Sequence, residues 1–325
     1  MELSNNTARL NTLTVEDNEL DKFGIIKIQK KTKDNHQEWY IHDKMNTDSR
    51  IKFSSNENWN LVNSDIWEGH PNPDGNTRTA RININTTNPD AYNVEKQLEF
   101  GKDFKKLAER GFMIDENDFR NFELTTYFKI THILRHHNEG KMTGYGRGGR
   151  HSDEGWPNAC LATCYKGVFS VRDKASWFEK EYHHHQTEKE GGHAGYSYHL
   201  NEKKFEDSKI DIGNGINNWI GLKFIVYDID NRNSAKCELW YDKNSDKSIS
   251  DTTKQSWVKI NEIEDKGNNL EGDGPQALAD QMKEHCNCDS DKFVFKWGGP
   301  TVTWRIDDCI VQHTKTSIRE IIPQL

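Results

Sequence analysis

Long apolar runs are absent from this chain: no stretch approaches the roughly 20 consecutive apolar residues that a membrane-crossing helix needs, so no membrane span is expected. Apolar residues are also scarce overall, at 33% of 325 positions, which leaves a modest core carrying long polar loops. A basic balance is missing too. The net charge of -8 excludes the broad positive field of a generic nucleic-acid binder. The first twenty residues hold neither a basic n-region nor an apolar h-region, so no secretory signal is expected in them. No Pro- or Ser-rich linker divides the chain, and no repeat of roughly 20–50 residues suggests a solenoid or propeller. Residues 1–20 are therefore expected to form a flexible tail, and residues 21–325 a single domain.

The six cysteines lack zinc spacing, because Cys286 and Cys288 are separated by one residue and no second pair stands nearby. Buried free thiols are the expectation, with one disulfide involving the Cys286/Cys288 loop as the alternative. Phosphate-binding glycine loops, nucleotide motifs and the hydrolase nucleophile elbow are absent as well.

What is present is aromatic and strand-like. Aromatic residues make up 10% of the chain, ten of them Trp, which argues against disorder. Period-2 segments dominate from about residue 80: in "FELTTYFKI", Phe122, Leu124, Thr126, Phe128 and Ile130 share one face, and Glu123, Thr125, Tyr127 and Lys129 the other. "ARININ", "CLATCYKGVFSV", "ASWFEKEYHH", "NWIGLKFIVYDI", "KCELWYDK", "SWVKINEI", "FVFKW" and "TVTWRIDDCIVQH" behave alike, each bounded by turn residues. Two segments are expected as short helices, Lys102 to Gly111 and Gly274 to His285. Many strands without βαβ alternation predict an all-β antiparallel β-sandwich jelly roll.

The segments "DKFGIIKI…EWY", "NDFRNFELTTYFKI", "GRGGRH", "CYKGVF", "WFEKEYHH", "NWIGLKFIVYD…CELWYDK" and "KWGGPTVTWRIDDCIVQHTKTSIREI" carry a resemblance. Together, over roughly Asp21 to Ile321, the chain resembles archaeal and bacterial concanavalin A-like jelly rolls, a group that includes carbohydrate-binding modules and polysaccharide lyases. The resemblance implies a polysaccharide partner held across a sheet face, and a secreted or cell-surface location. It specifies fold better than activity.

Sugar recognition needs planar hydrogen-bonding groups and aromatic faces. The outward face of "FELTTYFKI" offers Glu123, Tyr127 and Lys129; "GYGRGGRH" offers Tyr145, Arg147, Arg150 and His151; Tyr165 and Arg305 add further contacts. β-Elimination on a uronic acid needs a carboxylate neutraliser, a base for the C5 proton and an acid for the leaving oxygen. Arg150 is the candidate neutraliser, His151 or His184 the base, and Tyr127, Tyr165 or Tyr182 the acid, with Lys180 on the same strand face as Tyr182 and His184. Lyase action on an acidic polysaccharide is thus the first expectation, and a non-catalytic binding or adhesion protein of a cell surface or virus particle the alternative. The Gln-Ile-His motif of alginate lyases is absent, and the paired carboxylates of a glycosidase strand are incomplete around Glu116 and Asp118. No cofactor is expected. His183 and His185 lack a third metal ligand. The acidic loops Asp228 to Ser234 and Asp242 to Ser248 partly match calcium-loop spacing, so structural calcium is the one ion considered, against ordinary Asp/Asn turns.

Overall fold

The computed structural model describes residues 12–29, 38–41, 51–53, 57–63, 65–71, 79–85, 119–134, 140–148, 164–185, 194–207, 209–267, 294 and 301–323. Their strands are β1 (Thr12–Leu13), β2 (Glu38–Tyr40), β3 (Ile51–Phe53), β4 (Glu57–Asn63), β5 (Ile66–Pro71), β6 (Thr79–Asn85), β7 (Phe122–Ile133) and β8 (Lys141–Gly148). After these come β9 (Cys164–Ser170), β10 (Ala175–His185), β11 (Ala194–Lys204), β12 (Ile220–Ile229), β13 (Ser234–Asp242), β14 (Trp257–Asp265), β15 (Thr301–Asp307) and β16 (Cys309–Glu320). One α-helix, α1 (Ser245–Ser250), is described, inside an acidic stretch expected as a turn. The two helices expected at 102–111 and 274–285 lie outside the described residues.

The strands build the expected antiparallel β-sandwich. The larger sheet has nine strands in the order β1-β14-β13-β12-β7-β16-β5-β4, with β2 also on β16; the smaller has seven, ordered β11-β10-β9-β8-β15-β6-β3. The chain runs β8 to β11 through the smaller sheet, returns through β12 to β14 in the larger, then sends β15 and β16 into the middle of each. The core between the sheets takes Phe122, Leu124, Phe128 and Ile130 of β7 with Leu222, Phe224 and Val226, against Met142, Phe169, Phe178 and Trp304. Two glycines set the sheet spacing at Phe224: a Cβ on Gly144 or Gly167 would come within 2.8 or 2.5 Å of its ring.

Alternation along β7 predicts one wet face, and here the structure differs. Glu123, Thr125 and Tyr127 are buried, because a second apolar cluster covers the larger sheet from outside. It joins Ile25, Ile26, Tyr127, Ile225, Trp240 and Trp257, with Leu13 and Val15 packed against it. β1 pairs with β14, and Gln255 accepts from Ile26 N–H at 3.0 Å while donating to the Gly24 carbonyl at 2.7 Å. Residues 12–20, expected as tail, thus belong to the folded body, since Leu13 and Val15 find apolar partners there. Cys164, Cys237 and Cys309 are buried; Cys160, Cys286 and Cys288 lie outside the described residues.

Candidate functional site

The expected site residues divide among three places. On the outer face of the larger sheet, Glu123 accepts from Lys223 Nζ at 2.8 Å and Arg319 at 2.6 Å, beneath the 21–29 segment. Burial pushes the Glu123 carboxyl up, but Arg319 and Lys223 outweigh it and hold the group at about 2. Tyr127 donates to Asp242 at 2.8 Å, and burial, then the Asp242 charge, raises its phenol well above the ordinary range. Lys129 lies over the Trp219 ring at 4.9 Å. Glu123 and Tyr127, expected as surface contacts for a polymer, are sealed off by the N-terminal segment.

Between the sheets, Lys180 of β10 meets Asp265 of β14 at 2.7 Å, both side chains 2% exposed. Tyr165 donates to the same Asp265 oxygen at 2.5 Å. Arg147, at a positive φ of 50° that turns it off the regular strand path, pairs with Asp228 at 2.6 Å and donates to Asn121 at 2.9 Å. Lys180, Tyr165 and Arg147 therefore tie the two sheets together and face away from solvent. Alternation puts Lys180 in register with Phe178, but the sequence offers no sign that this row points inward; its partner lies 85 residues on.

Among the described residues, Arg305 and Tyr145 are the expected contacts that reach the third place, the outer face of the smaller sheet. Strand register lays two rows across it. One row runs Arg81, Arg305, Thr143, Val168, Trp177, and the next Thr303, Tyr145, Lys166, Glu179. Arg305 pairs with Asp307 at 2.7 Å and donates to the Tyr145 hydroxyl at 3.2 Å. Lys166 pairs with Glu179 at 3.2 Å and sits 5.4 Å from the Tyr145 ring centroid; Trp177 donates to Glu179 at 2.9 Å, and Lys141 lies over the Trp177 ring at 5.3 Å. Lys166, Glu179 and Trp177 were not predicted as contacts, although "CYKGVFS" signals Lys166: Tyr165, Gly167 and Phe169 take the core side, leaving Lys166 outward.

Arg150 and His151 lie outside the described residues. Tyr182 and His184 belong to β10, where the register with β11 shifts between Glu181 and His184 and breaks the strict alternation expected for the histidine run.

The two acidic loops do not fit calcium. Asp228 is bound by Arg120 and Arg147, Asp230 accepts from Ser234, Asp242 from Tyr127 and the amides of Asn244 and Ser256, and Asp246 from the Trp219 amide. Their carboxylates thus face protein donors, and among the described residues no three His, Cys, Asp or Glu side chains cluster as metal ligands.

No known family profile matches the chain, and no curated protein matches it. Among solved structures it is similar to the VIP36 exoplasmic/lumenal domain in its Ca2+/Man3GlcNAc-bound form, at 8% identity and a TM-score of 0.36, over 85% of this chain and 86% of that one. Peanut lectin with a nine-residue peptide is similar at 6% identity and a TM-score of 0.34, over 89% and 99% of the two chains. The lectin UEA-II complexed with galactose is similar at 7% identity and a TM-score of 0.35, again over 89% and 99%.

Proposed function

We propose that this protein is a non-catalytic carbohydrate-binding or adhesion module that holds an acidic polysaccharide on the outer face of its smaller sheet. One observation carries the reading: strand register aligns Tyr145, Trp177, Arg81 and Lys166, all buried, on a single face whose partly exposed edges are Arg305 and Lys141. Arg81 and Arg305 stand directly opposite each other across β6 and β15. Guanidinium groups match a uronate carboxylate bidentately, and the accessible edges of Arg305 and Lys141, 26% and 22% exposed, are where a chain makes first contact. Arg305 is thus retained as a ligand contact.

The binding reading is preferred to lyase action because Lys180 and Tyr165 are committed to Asp265 between the sheets, away from any polymer on an outer face. A binding module of this kind acts at a cell surface or outside the cell. The test compares titration calorimetry of uronate-containing and neutral polysaccharides with the wild type and Arg305→Ala, while following ultraviolet absorbance for an unsaturated product. Selective binding that weakens in Arg305→Ala, with flat absorbance, supports the proposal. Rising absorbance, or equal affinity for neutral glycans, overturns it.

A further inference from the structure

We propose that Lys180 and Asp265 condense to an intramolecular amide, a covalent bolt between the two sheets. Both side chains are almost fully buried and in direct contact, Nζ to Oδ2 at 2.7 Å, with β10 contributing the amine and β14 the acid. Their environment matches the needs of amide formation. Burial lowers the proton affinity of Lys180 against the pull of Asp265, favouring the free amine that attacks. Each acid oxygen has its own donor: Gly267 N–H reaches Oδ1 at 2.9 Å, and the Tyr165 hydroxyl reaches Oδ2 at 2.5 Å. The first stabilises the oxyanion of a tetrahedral intermediate, and the second assists the departure of an oxygen. Contact fixed by the fold replaces the encounter that makes such condensation slow in water.

The step balances within the pair. The ammonium passes one proton to Oδ2, leaving a free amine beside a carboxylic acid. The Nζ lone pair bonds to Cγ while the carbonyl π pair moves onto Oδ1. Nζ then releases a second proton to Oδ2, the Cγ–Oδ2 bond breaks, and Oδ2 leaves as water as the carbonyl re-forms. One amide and one water replace one ammonium and one carboxylate, with no change of net charge and no redox partner.

The molecule supplies its own control. Lys223 and Glu123 are as deeply buried and as close, at 2.8 Å, but Glu123 also receives Arg319 and lies near the amides of Ile28 and Gln29. A carboxylate held in its ionised form by two cations is a poor electrophile. That pair stays ionic.

Intact-mass spectrometry of the full chain, followed by digestion under denaturing conditions and fragmentation of the peptides, decides the matter. The expected result is a chain lighter by one water, not two, and a branched peptide joining the Lys180 and Asp265 segments. In Lys180→Met and Asp265→Ala both signals vanish; in Tyr165→Phe the linked fraction of freshly made protein falls. A wild-type mass equal to that of the unmodified sequence overturns the proposal. So does a water loss without the branched peptide, which marks a succinimide instead. Both readouts come from the wild type, so a variant that fails to fold leaves the answer intact.

Discussion

Glu123 on β7 and Asp265 on β14 each meet a buried lysine, at 2.8 and 2.7 Å, in different surroundings. Glu123 is ringed by positive charge, with Lys223 and Arg319 both on its oxygens and the Lys223 ammonium 4.7 Å from the Trp257 ring centroid. Asp265 is ringed by neutral donors apart from Lys180, namely the Tyr165 hydroxyl and the Gly267 amide. Counting charges, the first site sets Glu123 and the nearby Asp21 against Lys223 and Arg319, with both cations on the Glu123 oxygens, while Asp265 meets one cation among the described residues. The difference teaches that burial alone does not decide the state of a lysine–carboxylate pair. Two cations on its oxygens pin the acid in its charged form; a carboxylate with one cation and neutral donors keeps the option of becoming neutral.

The largest break in the comparison comes from Glu123→Gln. It strands Lys223 and Arg319 in a sealed site, and a loss of about 3–5 kcal/mol in urea unfolding is expected. The same residue sets an acid-side slope. Its folded value near 2 lies below the ordinary 4.5, so its stabilising contribution is complete above about pH 4.5 and lost as pH falls toward 2. That shift corresponds to about 3 kcal/mol, and the slope should disappear in Glu123→Gln. Persistence of the slope in the variant assigns it elsewhere.

In protein that has not formed the amide, Asp265→Ala should cost less, about 1–3 kcal/mol, because Lys180 can shed its proton when its partner is gone; against the linked form the loss also includes a cross-link closing a long loop. A loss equal to that of Glu123→Gln removes the distinction between the pairs. Next comes His313, whose ring burial pushes down to about 3 and whose Nδ1 is 2.9 Å from the Thr126 hydroxyl. A histidine depressed from 6.5 contributes stability that is present above pH 6.5 and lost as pH falls from there toward 3. The unfolding midpoint of His313→Gln, followed over that window, should flatten relative to wild type. The smallest effect belongs to the open pair on the smaller sheet. Arg305 and Asp307 are 26% and 18% exposed, so Arg305→Ala should change stability by no more than about 0.2–1 kcal/mol while lowering polysaccharide affinity.

The strands were legible because their alternation is local, and "FELTTYFKI" and "TVTWRID" place their core residues as the period says. The covered outer face of the larger sheet was not. Glu123, Thr125 and Tyr127 look like a wet face until Ile26 reaches Gln255, 229 residues away. Lys180 was singled out from its strand, yet its direction depends on Asp265, and neither face of "WFEKEYHH" is apolar enough to announce the core. Arg305 sits where its strand period puts it; Lys166 and Glu179 sit there too, and only the assembled rows of β8, β9, β10 and β15 make them neighbours of Tyr145.

The placement of β15 and β16 has a consequence for how the molecule is made. β15 separates β8 from β6, and β16 separates β7 from β5. A growing chain that has emerged only as far as β14 therefore holds each sheet as two unjoined parts, with open strand edges facing one another across a gap. Those edges are closed by β15 and β16, which follow β14 in the chain. Folding is expected to be a late, nearly all-at-once event governed by long-range pairing, and the interval before it is when the chain is most exposed to edge-to-edge association.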